Sequence, residues 1–173
     1  MSQLNVATVN FSTDSTQKKS FGHAYIVDQK AADVGGGSFT SGAWRTKDLN
    51  TEIFDYGGIV SISSNQFTLA NAGTYTIYWR SPALMVEYHI SRLYDVTNTT
   101  GYNGSSEYSY QDGATTHSVG EERLTITGST VFEIQHYCNA TQSGNYGRGT
   151  SSGNASGAGV PNVYTIVEIW REA

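Results

Sequence analysis

Apolar and polar residues alternate with a period of two along most of this chain, and no stretch keeps a 3.6-residue apolar stripe over three turns. The clearest case is 74–80 (TYTIYWR), where Tyr75, Ile77 and Trp79 share one face and Thr74, Thr76 and Tyr78 the other. Asn71-Ala72-Gly73 forms a turn before it, and Pro82 is expected to close it. The same pattern predicts strands at 24–28, 38–45, 48–53, 59–63, 66–69, 85–96, 107–111, 116–127, 131–138 and 162–171. Segment 85–96 sets Val86, Tyr88 and Ile90 against Glu87, His89 and Ser91. Residues 97–106 read as a polar loop, and Gly128-Ser129 as the turn of a hairpin joining 116–127 to 131–138. Asn, Ser, Gly, Thr and Ala dominate 139–162, which predicts a long flexible loop.

The stretch 35–51 (GGGSFTSGAWRTKDLNT) places Phe39 and Trp44 in a run of Gly, Ser and Thr. A helix tolerates that mixture poorly, whereas a bent or bulged strand uses glycine for its backbone angles and Thr, Phe and Trp for its surface. The last strand, 162–171, is apolar on both sides. Val163, Val167 and Ile169 share one face with Thr165, and Tyr164, Ile166 and Trp170 share the other with Glu168. One face enters a sandwich; the other needs a cover, from a loop of the same chain or from a sister copy. A symmetric oligomer is the economical choice, with Tyr164, Ile166, Glu168 and Trp170 at its interface. The expected pairing partner of Glu168 is an arginine, Arg171, Arg92 or Arg80.

Composition supports an all-β chain: 19 Gly and 12 Tyr accompany only 14% charged residues, too few for helices with charged outer faces. At 173 residues there is room for one domain that buries roughly two-thirds of its unfolded surface. A net charge of −5 without a basic cluster argues against a nucleic-acid partner. No apolar run reaches membrane-spanning length, so no membrane insertion is expected, and no secretion signal is visible. Cys138 stands alone in VFEIQHYC, which excludes an intrachain disulfide and reads as a buried small residue.

Catalytic grammar is missing from the motifs. Phosphate-binding glycine loops and H-E-x-x-H do not occur, and Ser41 does not complete a G-x-S-x-G elbow. Glu121 and Glu122 are adjacent, so on a strand they point to opposite faces and cannot flank one bond. No catalytic residue and no cofactor is expected. His89 and His136 are candidates for a metal or proton-sensitive site if the sheets bring them together; otherwise each is a core histidine with satisfied nitrogens. Tyr102, Tyr108, Tyr110 and Tyr146 lie among Asn, Ser and Gly, a mixture that suits binding loops for glycan or protein and also plain solvated loops. Residues 1–20 form an expected extended arm whose Leu4, Val6, Val9 and Phe11 could anchor it outside the domain that occupies 21–173.

The order of these pieces resembles a module in virion proteins of tailed phages, especially marine ones, and of some large algal viruses. The resembling residues are 24–28, 36–45 (GGSFTSGAWR), 48–51, 65–67, 72–75, the segment from Pro82 to Leu93 with His89 and Arg92, Glu107-Tyr108, Gln135-His136 and 163–170. Together they span about 21–173. The layout is also similar to the jelly roll of C1q- and TNF-like proteins, with 71–80 like their Gly-x-Tyr strand and 163–170 like their final core strand. The resemblance implies an antiparallel jelly-roll sandwich that packs as a homotrimer around a three-fold axis. It further implies a non-enzymatic virion surface protein, a capsid decoration, head-fibre or tail-fibre component, assembled in the host cytoplasm. Its partners would be capsid or tail proteins and a host-surface glycan or protein. With some twenty residues ahead of the domain, a stand-alone virion component is expected, rather than the tip of a long fibre. A soluble lectin-like module is the alternative, and a glycan-cleaving tail enzyme a more distant one.

Overall fold

In the computed structural model, residues 22–110, 113–150 and 159–172 are described; the arm at 1–20, with Leu4, Val6, Val9 and Phe11, lies outside them. The strands are β1 (Gly22–Lys30), β2 (Arg45–Thr46), β3 (Thr51–Tyr56), β4 (Val60–Ser63), β5 (Gln66–Leu69), β6 (Gly73–Ala83), β7 (Glu87–Asp95), β8 (Thr100–Ser109), β9 (Thr116–Ile126), β10 (Thr130–Cys138) and β11 (Asn162–Arg171). The first sheet runs β3-β1-β11-β6-β9 and the second β4-β5-β10-β7-β8, with β2 paired to β10. Every pairing is antiparallel. The two sheets face each other across one core, an antiparallel jelly-roll sandwich.

The alternation in 74–80 is decisive there: Tyr75, Ile77 and Trp79 are completely buried, between Ile26, Val167 and Ile169 of their own sheet and Phe67, Leu93, Phe132 and Ile134 of the other. Trp79 ties the sheets together. Its indole Nε1 donates to Ser91 Oγ of β7 at 3.0 Å, and that hydroxyl meets Ser118 Oγ of β9 at 2.8 Å. Ser118 Oγ in turn donates to Ser105 O of β8 at 2.6 Å. The ring lies against Gly120, its cross-strand partner, where an added Cβ would come within 2.1 Å of the indole.

Several expected elements are different in the fold. Pro82 does not close β6, which continues to Ala83 by pairing with β9. Pairing with β11 ends at Arg80, so the following residues form a one-sided edge where a missing N–H costs nothing. The hairpin around Gly128-Ser129 is a corner: β9 pairs with β6 in the first sheet, while β10 pairs with β7 and β5 in the second. The polar loop at 97–106 is a tight turn closed by Asp95, whose carboxylate accepts from the Asn98 backbone and side chain, and β8 begins at Thr100.

Segment 38–45 contributes only the bridge Phe39–Gln142 and the short β2. The segment 139–150 is not a free loop. Phe39 and Gln142 exchange both backbone hydrogen bonds, Gly36 N donates to Gly149 O, Arg148 N to Gly37 O and Leu84 N to Gly147 O. Glycine allows the closest of these approaches, because a Cβ on Gly35 would overlap Asn145 O and one on Gly147 would press on Phe39.

Replacing Trp79 by Ala should lower unfolding stability by about 3–5 kcal/mol, and Gly120→Ala by about 1–3 kcal/mol through overpacking against the indole. Urea denaturation monitored by tyrosine and tryptophan fluorescence measures both. A Gly120→Ala midpoint equal to the parent's would contradict the packing described.

Candidate functional site

Three arrangements of side chains stand out: one on each outer sheet face and one sealed between the sheets. On the first sheet, the register aligns His23 with Trp170 and Thr76, then Tyr25 with Glu168 and Tyr78, then Val27 with Ile166 and Arg80. Paired residues of an antiparallel ladder share a face, so these rows cross the sheet together. His23 Nε2 lies 2.8 Å from Glu168 Oε1, with the two side chains 33% and 29% exposed. The partner of Glu168 is therefore histidine rather than the expected arginine. The His23 ring stacks on Trp170 at 5.2 Å and meets Phe54 edge-on at 4.9 Å. Phe54 also stacks with Tyr25 and Tyr56. The result is an aromatic ladder, part-open to solvent, around one hydrogen-bonded histidine–glutamate pair.

Ile166, Glu168 and Trp170 lie together on this face, and Tyr164 does not. It is 4% exposed, with its hydroxyl donating to Val34 O at 2.5 Å. The register shifts between Val27 and Gln29, where Tyr164 and Thr165 of β11 bulge opposite Asp28 alone, and the segment around Val34 covers Tyr164 from the same chain. Val163 is exposed in its place.

The second sheet turns another aromatic face outward. Tyr88 of β7 is paired with Tyr108 of β8, ring centroids 4.8 Å apart and nearly perpendicular, and Tyr110 follows at 6.2 Å from Tyr108. These tyrosines are 62%, 43% and 59% exposed. Further along, Trp44 packs against Tyr137, and the Arg92 guanidinium lies over Trp44 at 4.0 Å and over Tyr94 at 4.8 Å. Gln135 Oε1 accepts two hydrogen bonds from Arg92, at 2.9 and 2.6 Å. Of the four tyrosines expected in binding loops, Tyr108 and Tyr110 join this face. Tyr102 packs partly against the core, and Tyr146 lies over Gly144 in the clamp segment.

Tyr88 carried no separate signal, because alternation alone places it with buried Val86. Met85 and Glu87 have positive φ, at 58° and 61°, which interrupts the alternation on either side of Val86. Val86 is therefore buried, while Tyr88 and Ile90 turn outward and His89, Ser91 and Leu93 inward.

The third arrangement lies at the end of the sandwich closed by the clamp. His89 Nδ1 and His136 Nε2 are hydrogen-bonded at 2.9 Å, and His89 Nε2 meets Thr116 Oγ1 at 2.8 Å. The sheets do bring the two histidines together, as neighbouring rings in one hydrogen-bond chain. Among the described residues no group of three or more metal-ligating side chains accompanies them. Phe39 packs on His136 at 4.9 Å, with Lys47 and Arg148 near its ring. Lys47, absent from the sequence reading, is wholly buried and donates to Pro82 O at 3.1 Å. Burial, reinforced by Arg148, brings its ammonium down to about 7.

Burial likewise lowers His89 to about 4, with Lys47 and His117 adding repulsion, and holds His136 well below the ordinary range. Cys138, beside them, is buried and its thiol is pushed up to about 11, chiefly by burial, so it is inert as a nucleophile at neutral pH. Neutral rings fit here and charged ones do not.

The pH dependence has a definite sign. Unfolded histidines take up protons near 6.5, whereas His89 resists until about 4 and burial also holds His136 well below its ordinary range. Their contribution is fully present above pH 6.5 and is lost as pH falls towards 4. Urea midpoints should decline measurably between pH 6.5 and 5, above the ordinary titration of the carboxylates. A His89→Gln/His136→Leu variant should show a flatter profile there; an unaltered slope would rule out the pair as its cause.

By sequence, no family model and no curated protein matches the chain. Solved structures share its fold. Murine APRIL at pH 5.0 superposes with a TM-score of 0.55 at 8% identity, over 87% of this chain and 98% of that one. The globular domain of the zebrafish complement 1qA protein gives 0.53 at 12% identity, over 89% and 97%. PRD1 vertex protein P5 gives 0.56 at 12% identity, over 90% and 99%. At these identities the likeness is one of fold, and the jelly-roll architecture implied by the C1q- and TNF-like resemblance is the one observed.

Proposed function

We propose that this chain is a non-enzymatic structural protein of a virion surface that assembles as a homotrimer through the outer face of its first sheet. The observation that carries the reading is the ladder of Trp170, His23, Phe54 and Tyr25 around the His23–Glu168 pair, with Ile166 beside it. A large aromatic face part-open to water is stabilised when neighbouring copies cover it, and a closed rotation axis relating identical chains supplies that cover without new sequence. The arrangement on C1q- and TNF-like modules, which the sequence resembles, agrees with a three-fold axis. Tyr164 contributes from beneath, by holding the end of β11 against the segment at Val34.

Two further observations support a virion setting. The sequence resembles phage and algal-virus virion modules along nearly its whole length, and a vertex protein shares the fold. Residues 1–20, with Leu4, Val6, Val9 and Phe11, serve in this reading as the anchor to capsid or tail proteins, leaving the domain to face outward and contribute to attachment on a host surface. No helix among the described residues is long and apolar enough to cross a membrane.

Ile166→Asp should convert trimers into monomers or aggregates in sedimentation equilibrium at micromolar concentration, because a carboxylate would be buried without a partner. Thr141→Ala, on the distant clamp segment, should leave assembly unchanged. An Ile166→Asp trimer as stable as the parent would overturn the interface. Deleting residues 2–18 should leave a folded domain that no longer incorporates into particles, as read by immunoblot of purified virions; undiminished incorporation would remove the arm as anchor.

A further inference from the structure

The outer face of the second sheet is not used by the assembly described above. Between β7, β8 and the end of β10 it holds a small cavity of about 110 Å³, lined by Tyr88, His89, Ile90, Ser106, Tyr137 and Asn139. We propose that this face is a binding site for a neutral glycan. The apolar side of one pyranose would lie on Tyr88, with Tyr108 beside it at an angle and a short substituent of that sugar in the cavity.

The chemistry of the lining selects this ligand class. A pyranose presents C–H bonds on its faces and hydroxyls around its rim, so it calls for exposed aromatic rings flanked by uncharged hydrogen-bonding groups. Tyr88 and Tyr108 are the exposed rings, held by their ladder pairing at 4.8 Å. Ser106 and Asn139 are the uncharged groups, and no hydrogen bond within the described residues engages the Ser106 hydroxyl or the Asn139 side-chain amide. Ile90 and Tyr137 supply apolar walls for a methyl or methylene. The carboxylate of Glu107 belongs to the other face of β8 and accepts from Ser105, and Arg92 is held by Gln135 and two aromatic rings. Neither charge is presented to a ligand in the cavity, which disfavours acidic sugars.

A peptide adding as a strand is the competing occupant, and the edge it would need is closed. β8 ends the second sheet, but Val119 N of β9 donates to Ser105 Oγ, and Ser118 Oγ to Ser105 O. Gly104 lies so near Val119 O that an added Cβ would approach it to 2.5 Å. With that edge occupied, the surface offers side chains rather than main-chain donors.

The site deepens the attachment part of the function proposed above, yet it lies within one protomer and stands whether or not the trimer forms. The test is a printed array of neutral oligosaccharides, chitotetraose and cellotetraose included, followed by calorimetric titration of the best probe into the full-length protein. Saturable binding to a neutral oligosaccharide is expected. Tyr88→Ala and Tyr108→Ala should each weaken it about tenfold, the scale of one lost aromatic contact. Tyr88→Phe, which keeps the ring, should retain it, and Tyr146→Ala should leave it unchanged. Both alanine positions are exposed, so thermal melting should match the parent and separate lost binding from lost folding. The Ile166→Asp protein should still bind if it is soluble, which tells failure of assembly from failure of this site. No saturable binding across the neutral array, binding confined to sialylated or sulfated probes or to a peptide, or equal affinity in Tyr88→Ala would overturn the proposal.

Discussion

A single buried indole holds this sandwich closed. Trp79 belongs to the first sheet, yet its nitrogen is satisfied by Ser91 of the second, and the chain of hydroxyls from Ser91 through Ser118 to the Ser105 carbonyl joins β7, β9 and β8. Burying an indole N–H without a partner would be costly, so the position of β7 over β6 follows from that requirement. Gly120 provides the flat surface on which the ring rests. Where the two sheets would otherwise end in open edges, β8 and β9 are drawn together.

At one end of the sandwich burial favours the neutral states of the basic groups. Phe39 plugs it, the 139–150 segment clamps over it, and beneath lie two histidines bonded to each other and a lysine bonded to a carbonyl. Basic groups face one another there, and burial is the largest cause of every lowered affinity for protons. The clamp holds this arrangement by backbone bonds, so its stability comes from exclusion of water more than from ion pairing. Close by, the buried Asp28 pairs with Lys30, which also meets Asp48, and Arg148 joins Asp48.

The two outer faces are aromatic for different physical reasons. On the first, rings meet face-on and edge-on in a continuous ladder around His23 and Glu168. On the second, Tyr88 meets Tyr108 edge-on beside a small neutral cavity. A flat extended ladder suits a large partner surface, and a ring beside a pocket suits a small one.

Alternation alone made much of the fold legible. Strands β5 and β11 match their expected bounds, and Tyr75, Ile77 and Trp79 are buried as their period requires, because each strand has one face in a dry core. The outward rows of Ile166, Glu168 and Trp170 were equally readable, and so was the identity of Cys138 as a buried small residue. What the alternation could not carry were events that break the period or join distant segments. Positive φ at Met85 and Glu87 moved Tyr88 outward, a bulge in β11 let the chain cover Tyr164, and a corner sent β10 to the other sheet. The wholly buried Lys47, the pairing of His89 with His136 and the choice of His23 for Glu168 all depend on which strands become neighbours. Local pattern records which side of a strand is dry; only long-range pairing decides what that side, or its opposite, meets.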